Sequence, residues 1–308
     1  MDASVPAGTG SRRAASLLRI VLAFAAIYVI WGTTFLAIRY AVETIPPFLM
    51  MATRCLLAGA ALVALGRPSG GAALTPAYWR SAVIAGALFF VGCHGVLADV
   101  QQRVPSGLAA VFTATISLWI PLLVWGAGLS ERPSPRVAIG LVAGFAGVAL
   151  LIHVVRDPFA GGVSGLDALL LLFSAFCWAA GTAVVRGMSL PLSPMLSAGL
   201  QLLCGGTLLL LLSAVRGELW VFDIAAVSLA SLAGLGYLIV FGTLITFNAY
   251  VWLLGVVAPA RVATYAFVNP VVAVFVGWVV ADETLTPASL VAIAIIIVAV
   301  AATVTARR

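Results

Sequence analysis

Ten apolar runs, each long enough to cross about 30 Å of hydrocarbon at about 1.5 Å per residue, decide what this chain can become. They lie near 18–41, 48–66, 80–98, 106–129 and 136–154, and then near 166–187, 195–214, 227–253, 259–281 and 288–306. Lipid offers backbone amides and carbonyls no partner, so a run of this length satisfies them within its own helix. The short alternating strands of a membrane barrel fit the pattern poorly. The expected fold class is therefore all-α integral membrane with ten transmembrane helices. Composition agrees, because 63% hydrophobic and 8% charged residues and a mean hydropathy of +1.19 exclude an ordinary soluble domain.

The runs read as one five-span unit written twice. At a spacing of about 153 residues Ser117 aligns with Pro270 and Trp125 with Trp278, while Pro105 and Glu131 fall within a residue of Pro259 and Glu283. At about 147 residues Trp31 aligns with Trp178, Arg39 with Arg186, Pro47 with Pro194 and Gly59 with Gly206. The copies cover 18–154 and 166–306, behind a Gly-, Ala- and Ser-rich segment, 1–17, expected to be a disordered cytoplasmic tail. Because each copy has an odd number of spans, the second enters the membrane from the opposite side, and the five-helix repeats are expected to be inverted.

The net charge of +6 comes from arginines scattered along the chain, without a single lysine. That scatter argues against a nucleic-acid partner and reads as a topology signal. With a cytoplasmic amino terminus, eleven arginines fall inside, and five (Arg39, Arg54, Arg103, Arg156 and Arg216) fall towards the outer side. The bias puts both termini in the cytoplasm of a multi-pass protein, and the all-arginine basic set points to a bacterial inner membrane. Ser11-Arg12-Arg13 before the first run is not taken as a cleaved signal, since that run exceeds a signal core and many spans follow.

The chemistry available in mid-span is aromatic and weakly polar, because every Asp and Glu lies in a loop or near a span end. Trp31 shares a helix face with Tyr28, Phe35 and Arg39, at an unusual depth for tryptophan, which normally sits at membrane interfaces. Trp178 and Thr182 belong to a stripe with Ser174, Cys177 and Gly181 on the sixth run. His94 is the one group near a span centre whose ordinary pKa, about 6.5, permits a charge change near neutral pH. The fourth run adds Thr113 and Ser117, the eighth Tyr237 and Thr246, and the ninth Tyr265 and Asn269. These ten are the candidate substrate-binding residues, with helix packing as the alternative for each aromatic and back-bonding to the helix for each hydroxyl. Pro121 and Pro270, within the fourth and ninth runs, are the candidate hinges. Arg54 either snorkels to the interface, caps a neighbouring helix, or faces substrate, and Gln201 occupies its place in the second copy.

Cys55, Cys93, Cys177 and Cys204 all lie within spans without metal-ligand spacing, so neither a metal nor a disulfide is implied. The sequence has no His-Glu metal motif, Ser/His/Asp grouping or phosphate loop, which argues against an enzyme, and no cofactor is expected. A channel would show a charged ring or a carbonyl-rich filter, and none is visible. What remains is a carrier for small molecules, functional as a monomer in the lipid bilayer. Its walls suit small zwitterions, an ammonium group gaining about 0.5–2 kcal/mol from an aromatic face. A proton-coupled exporter of drugs or quaternary amines is the alternative, and uncoupled transport is favoured because no mid-span carboxylate exists to exchange the proton.

Trp31-Gly32, Pro47 with Arg54, Glu131-Arg132 followed by Gly140, Gly144 and Gly147, and Asn269-Pro270 followed by Glu283 resemble the EamA family of the drug/metabolite transporter superfamily. The resemblance covers nearly the whole chain, and YddG-like amino-acid exporters look nearest in kind. It implies a carrier of two five-helix repeats whose central cavity is lined mainly by helices 1, 3, 4, 6, 8 and 9. Two departures stand out. Ser117 takes the place of a family proline, with Pro121 one turn later, and Ala292, Ile296 and Ala299 replace family glycines in the second copy.

Overall fold

The computed structural model describes residues 8–66, 75–155, 163–186, 193–257, 259–283 and 286–305. Arg67, Arg156, Arg307 and Arg308, counted above as topology signals, lie outside them, as do residues 1–7 of the expected tail. Among the described residues the secondary structure is helical throughout. Among the described residues nine helices are long and apolar enough to cross a membrane: α1 (Leu17–Ala41), α2 (Pro47–Leu65), α3 (Pro76–Val100), α4 (Ser106–Gly126), α5 (Pro135–His153), α6 (Gly165–Arg186), α7 (Pro194–Val215), α8 (Leu229–Leu253) and α10 (Pro287–Thr305). Between the last two lies α9, a turn at Pro259–Val262 leading into the apolar helix Tyr265–Ala281. The helix that becomes α1 already starts at Gly8, inside the segment expected to be a disordered tail.

Proline starts five of these helices, where its missing N–H is one that a helix leaves unbonded in any case. The hydroxyl of Thr75 caps α3 at Tyr78 N and that of Ser193 caps α7 at Leu196 N.

Equivalent helices of the two copies pack together, α2 along α7 and α5 along α10. At the first crossing the contacts are reciprocal. A Cβ on Gly59 would lie 3.0 Å from Leu202 Cβ and Leu203 N, and one on Gly206 would lie 3.0 Å from Cys55 Cβ and Leu56 Cγ. Leu202 and Leu203 are the second-copy equivalents of Cys55 and Leu56 at the spacing that aligns Gly59 with Gly206. At the second crossing the glycines are one-sided. A Cβ on Gly140 would press on Thr303 Oγ1 at 2.5 Å and one on Gly147 on Ile296 Cγ1 at 3.0 Å, so the first copy supplies grooves that the second copy fills.

Irregular backbone is concentrated in mid-span. Wide π turns interrupt α1 at Ala26–Ile30, α3 at Ala87–Gly95 and α8 at Leu238–Ile245, a feature common at functional sites. In two of these π turns side chains also bond to the carbonyl five residues back. His94 Nδ1 reaches Phe89 O at 2.9 Å, Thr243 Oγ1 reaches Leu238 O at 2.9 Å, and Thr246 Oγ1 reaches Phe241 O at 2.7 Å.

The helix breaks in α4 and α9 sit upstream of the prolines rather than at them. In α4 the helix is interrupted at Thr115, six positions before Pro121, and in α9 at Ala263-Thr264, Thr264 lying six before Pro270. Each threonine donates to the carbonyl three residues back, Thr115 to Phe112 at 2.6 Å and Thr264 to Arg261 at 2.5 Å. The proline cannot donate to the carbonyl four residues before it, so each helix also lacks a main-chain bond in the turn that follows its threonine. Thr115 with Pro121 thus repeats the arrangement of Thr264 with Pro270.

Candidate functional site

Both mid-span tryptophans face helices of the other copy. Trp31 donates from Nε1 to Gly242 O in the π turn of α8 at 2.9 Å, and its ring lies 5.1 Å from Tyr265 and 5.4 Å from Tyr250. Trp178 lies against the π turn of α3, with ring centroids 4.7 Å from Phe89 and 5.1 Å from His94. Helices α3 and α8 hold equivalent positions in the two copies, so one aromatic arrangement is built twice, with different residues. Trp31, Trp178, His94, Tyr237 and Tyr265 are all part-buried within the bundle.

His94 has a defined tautomer here. A carbonyl can only accept, so Nδ1, facing Phe89 O, carries the hydrogen and leaves Nε2 as the free ring nitrogen. Tyr237 shares a hydrogen bond with Thr33 at 2.7 Å and stacks on Phe241. Tyr28 and Thr264 are joined at 2.6 Å, tying α1 to the break in α9.

The candidate hydroxyls serve their own helices first. Thr113 donates to Ala109 O at 2.8 Å, Thr182 to Trp178 O at 2.9 Å, and Thr246 to Phe241 O, which leaves only lone pairs for any ligand. Ser117 is buried. Asn269 is buried among carbonyls, and with its amide nitrogen turned towards them it donates to Ile27 O at 3.1 Å, Tyr265 O at 3.2 Å and Tyr28 O at 3.3 Å. It therefore braces α9 against the π turn of α1, where Gly32 lets Val272 approach to 2.6 Å of a would-be Cβ.

Two groups named in the sequence but not placed among the candidate binding residues stand out. The first is Arg54, the one enclosed guanidinium among the described residues, at 8% exposure. It donates from Nε to Thr243 Oγ1 at 3.2 Å and weakly from Nη1 to Met51 Sδ at 3.7 Å. A charge at such depth costs about 2.5–3.5 kcal/mol, yet among the described residues no carboxylate pairs with it. Snorkelling does not describe it, because it reaches across to the π turn of α8.

The second group is a latch at the bundle end where α1 and α9 finish and α4 begins. Asp282 closes α9 in the left-handed conformation, φ +51°, and Glu283 N bonds back to Gly277 O at 3.1 Å. The turn aims the Glu283 carboxylate at the start of α4, where it accepts from Ser106 N at 2.7 Å and Gly107 N at 2.9 Å and pairs with Arg39 of α1. An anion suits a helix N-terminus. Glycines at 107 and 277 provide the clearance, since a Cβ on Gly277 would meet Glu283 Oε2 at 2.5 Å.

All four ion pairs among the described residues lie at this end. Arg103 bonds Asp167 at 2.9 Å and Asp99 at 3.0 Å, and Arg216 reaches Asp99 at 3.4 Å. Partial burial works against the Arg103 charge, but the hydrogen bonds to Asp167 and Asp99 outweigh it and raise the pKa. Glu218 holds the start of α2, accepting from Leu49 N at 2.9 Å. At the opposite end Arg186 and Glu131, which correspond to Arg39 and Glu283, are exposed, and among the described residues they form no ion pair.

Comparison with known proteins adds relatives of similar length. The uncharacterized inner membrane transporter YedA of Escherichia coli (strain K12) is 35% identical over 288 residues, covering 92% of this chain and 90% of YedA. Protein PecM of Dickeya dadantii is 29% identical, covering 87% and 86%. The uncharacterized transporter YvbV of Bacillus subtilis is 25% identical, covering 92% and 90%. A crystal structure with 20% identity shares the fold at a TM-score of 0.63, covering 94% of this chain and 99% of that one. The model of the EamA-like transporter family matches residues 18–153 and 166–305, one match per copy, and the chain belongs to that family.

Proposed function

We propose that this protein is a bacterial inner-membrane secondary transporter that exports small metabolites, amino acids first among them, by alternating access between inverted repeats. Family membership supports a transporter rather than an enzyme, and the name of YedA supports the inner membrane. The observation that carries the reading is the one-sided latch. The chain holds the charged residues for two latches, Arg39 with Glu283 and Arg186 with Glu131, and among the described residues only the first is formed. In this reading both termini are cytoplasmic, the formed latch closes the outer end, and cargo enters from the cytoplasm. Rearrangement at the Thr115–Pro121 and Thr264–Pro270 breaks opens that latch and brings Arg186 to Glu131. One chain contains both halves and works as a monomer.

The alternative is a proton-coupled exporter of drugs or quaternary amines, with His94 Nε2 as the exchanging group. Counterflow in proteoliposomes with amino acids, nucleobases and quaternary amines tests the carrier reading, and a saturable exchange of amino acids is expected. Non-saturable flux would instead indicate a channel. An imposed pH gradient that concentrates cargo, with coupling lost in His94→Ala, would overturn uncoupled transport.

A further inference from the structure

Arg54 points to what the cargo must carry. We propose that its guanidinium receives a carboxylate of the transported molecule; this deepens the transport reading and rests on it. A guanidinium has five N–H donors in a planar fork. Here Nε is used by Thr243, one Nη1 donor faces the weak acceptor Sδ of Met51, and Nη2 has no partner among the described residues. The side chain is more than nine-tenths buried.

Architecture does not require the charge. The equivalent Gln201 is neutral and bonds within its own helix to Ser197 Oγ at 3.2 Å. Nor is the orientation accidental. Thr243 Oγ1 donates to Leu238 O in the π turn, so its lone pair is what faces Nε, and this holds the guanidinium in place.

The surroundings supply a second recognition element. Gly242 of the π turn faces the guanidinium, since a Cβ there would lie 3.9 Å from Nη2. The carbonyl of Gly242 is taken by Trp31 Nε1, which ties the indole to the same residue of the π turn. A carboxylate can take both Nη nitrogens, the arrangement in which arginine binds carboxylates most specifically. An ammonium group on the same molecule can then lie against an aromatic face. A quaternary amine without a carboxylate meets an unneutralised cation at the same place and is rejected.

Ligand-induced thermal stabilisation of the detergent-solubilised full chain tests this apart from transport. The probes are L-phenylalanine, its α-carboxamide, benzoate and phenethylamine. Wild type should bind phenylalanine at least about tenfold more tightly than the carboxamide and should bind benzoate better than phenethylamine. Arg54→Gln, a residue the second copy accepts at this place, should erase both preferences. Arg54→Lys, which keeps the charge and loses the fork, should retain part of them and serves as the check should the glutamine variant not fold. Equal affinity for acid and carboxamide in wild type, no stabilisation by either carboxylate, or unchanged preferences in Arg54→Gln would overturn the proposal. Binding preferences without counterflow would sink the transport reading alone, and counterflow without the preferences would sink this one alone.

Discussion

Replacing Glu283 by glutamine is the sharpest test of the latch. The carboxylate accepts from Ser106 N at 2.7 Å and Gly107 N at 2.9 Å, pairs with Arg39, and is 7% exposed. Glutamine keeps the shape and one acceptor, but its NH2 turns a donor towards a helix terminus that already presents donors. A hydrogen bond to a charged group contributes about 1.5–3 kcal/mol and an anion at a helix N-terminus about 0.3–1 kcal/mol. The Arg39 pair adds little, its side chain being 35% exposed. Together these weaken the closed end by about 2–4 kcal/mol, a shift of roughly 30- to 1,000-fold towards its open form. The assay is maleimide labelling of Val274→Cys, in a background without the native cysteines. Val274 lies under α4, its Cα 3.1 Å from a would-be Gly107 Cβ. Labelling should accelerate in Glu283→Gln with little change in total helix content. Equal rates with and without the substitution would refute the latch.

The charge swap Arg39→Glu with Glu283→Arg should not restore closure, measured by the same labelling, because the Ser106 and Gly107 amides require an anion. Trp178→Ala should impair counterflow while the protein still folds, since the ring lies against Phe89 and His94 in the bundle interior; wild-type transport in a folded variant would remove Trp178 from the site. Gly59→Val should lower the melting temperature by overpacking worth about 1–3 kcal/mol, because its Cβ would meet Gly199 O at 3.0 Å, whereas Gly126→Ala, with nothing within 4 Å, should leave it unchanged.

The spans, the duplication and the aromatic faces were legible because they depend on local patterns: run length, residue spacing and helical period. Trp31 and Trp178 came from that reading, and both stand inside the bundle. Glu283 was legible only as a recurring position, since the amides that it caps lie more than 170 residues away in sequence. The same distance problem hid Thr243 as the partner of Arg54 and the three carbonyls that claim Asn269. Tyr250, beside Trp31, shared a polar helix face that could have flagged it. The π turns left no sequence signal, because their extra residue is accommodated by packing against other helices. The prolines lie in the two helices that are interrupted, and the interruptions fall six residues upstream, at Thr115 and Thr264, which sequence spacing did not mark.

The glycine grooves of α5, filled by α10, make the copies non-interchangeable. A dimer assembled from two first halves would set Gly147 against Gly144 and leave a hollow, and one from two second halves would crowd Ala299 against Ile296. Separately expressed halves should therefore recover a native bundle only as the mixed pair, so whatever ancestral self-pairing the duplication preserves has become an obligate marriage of unlike fragments.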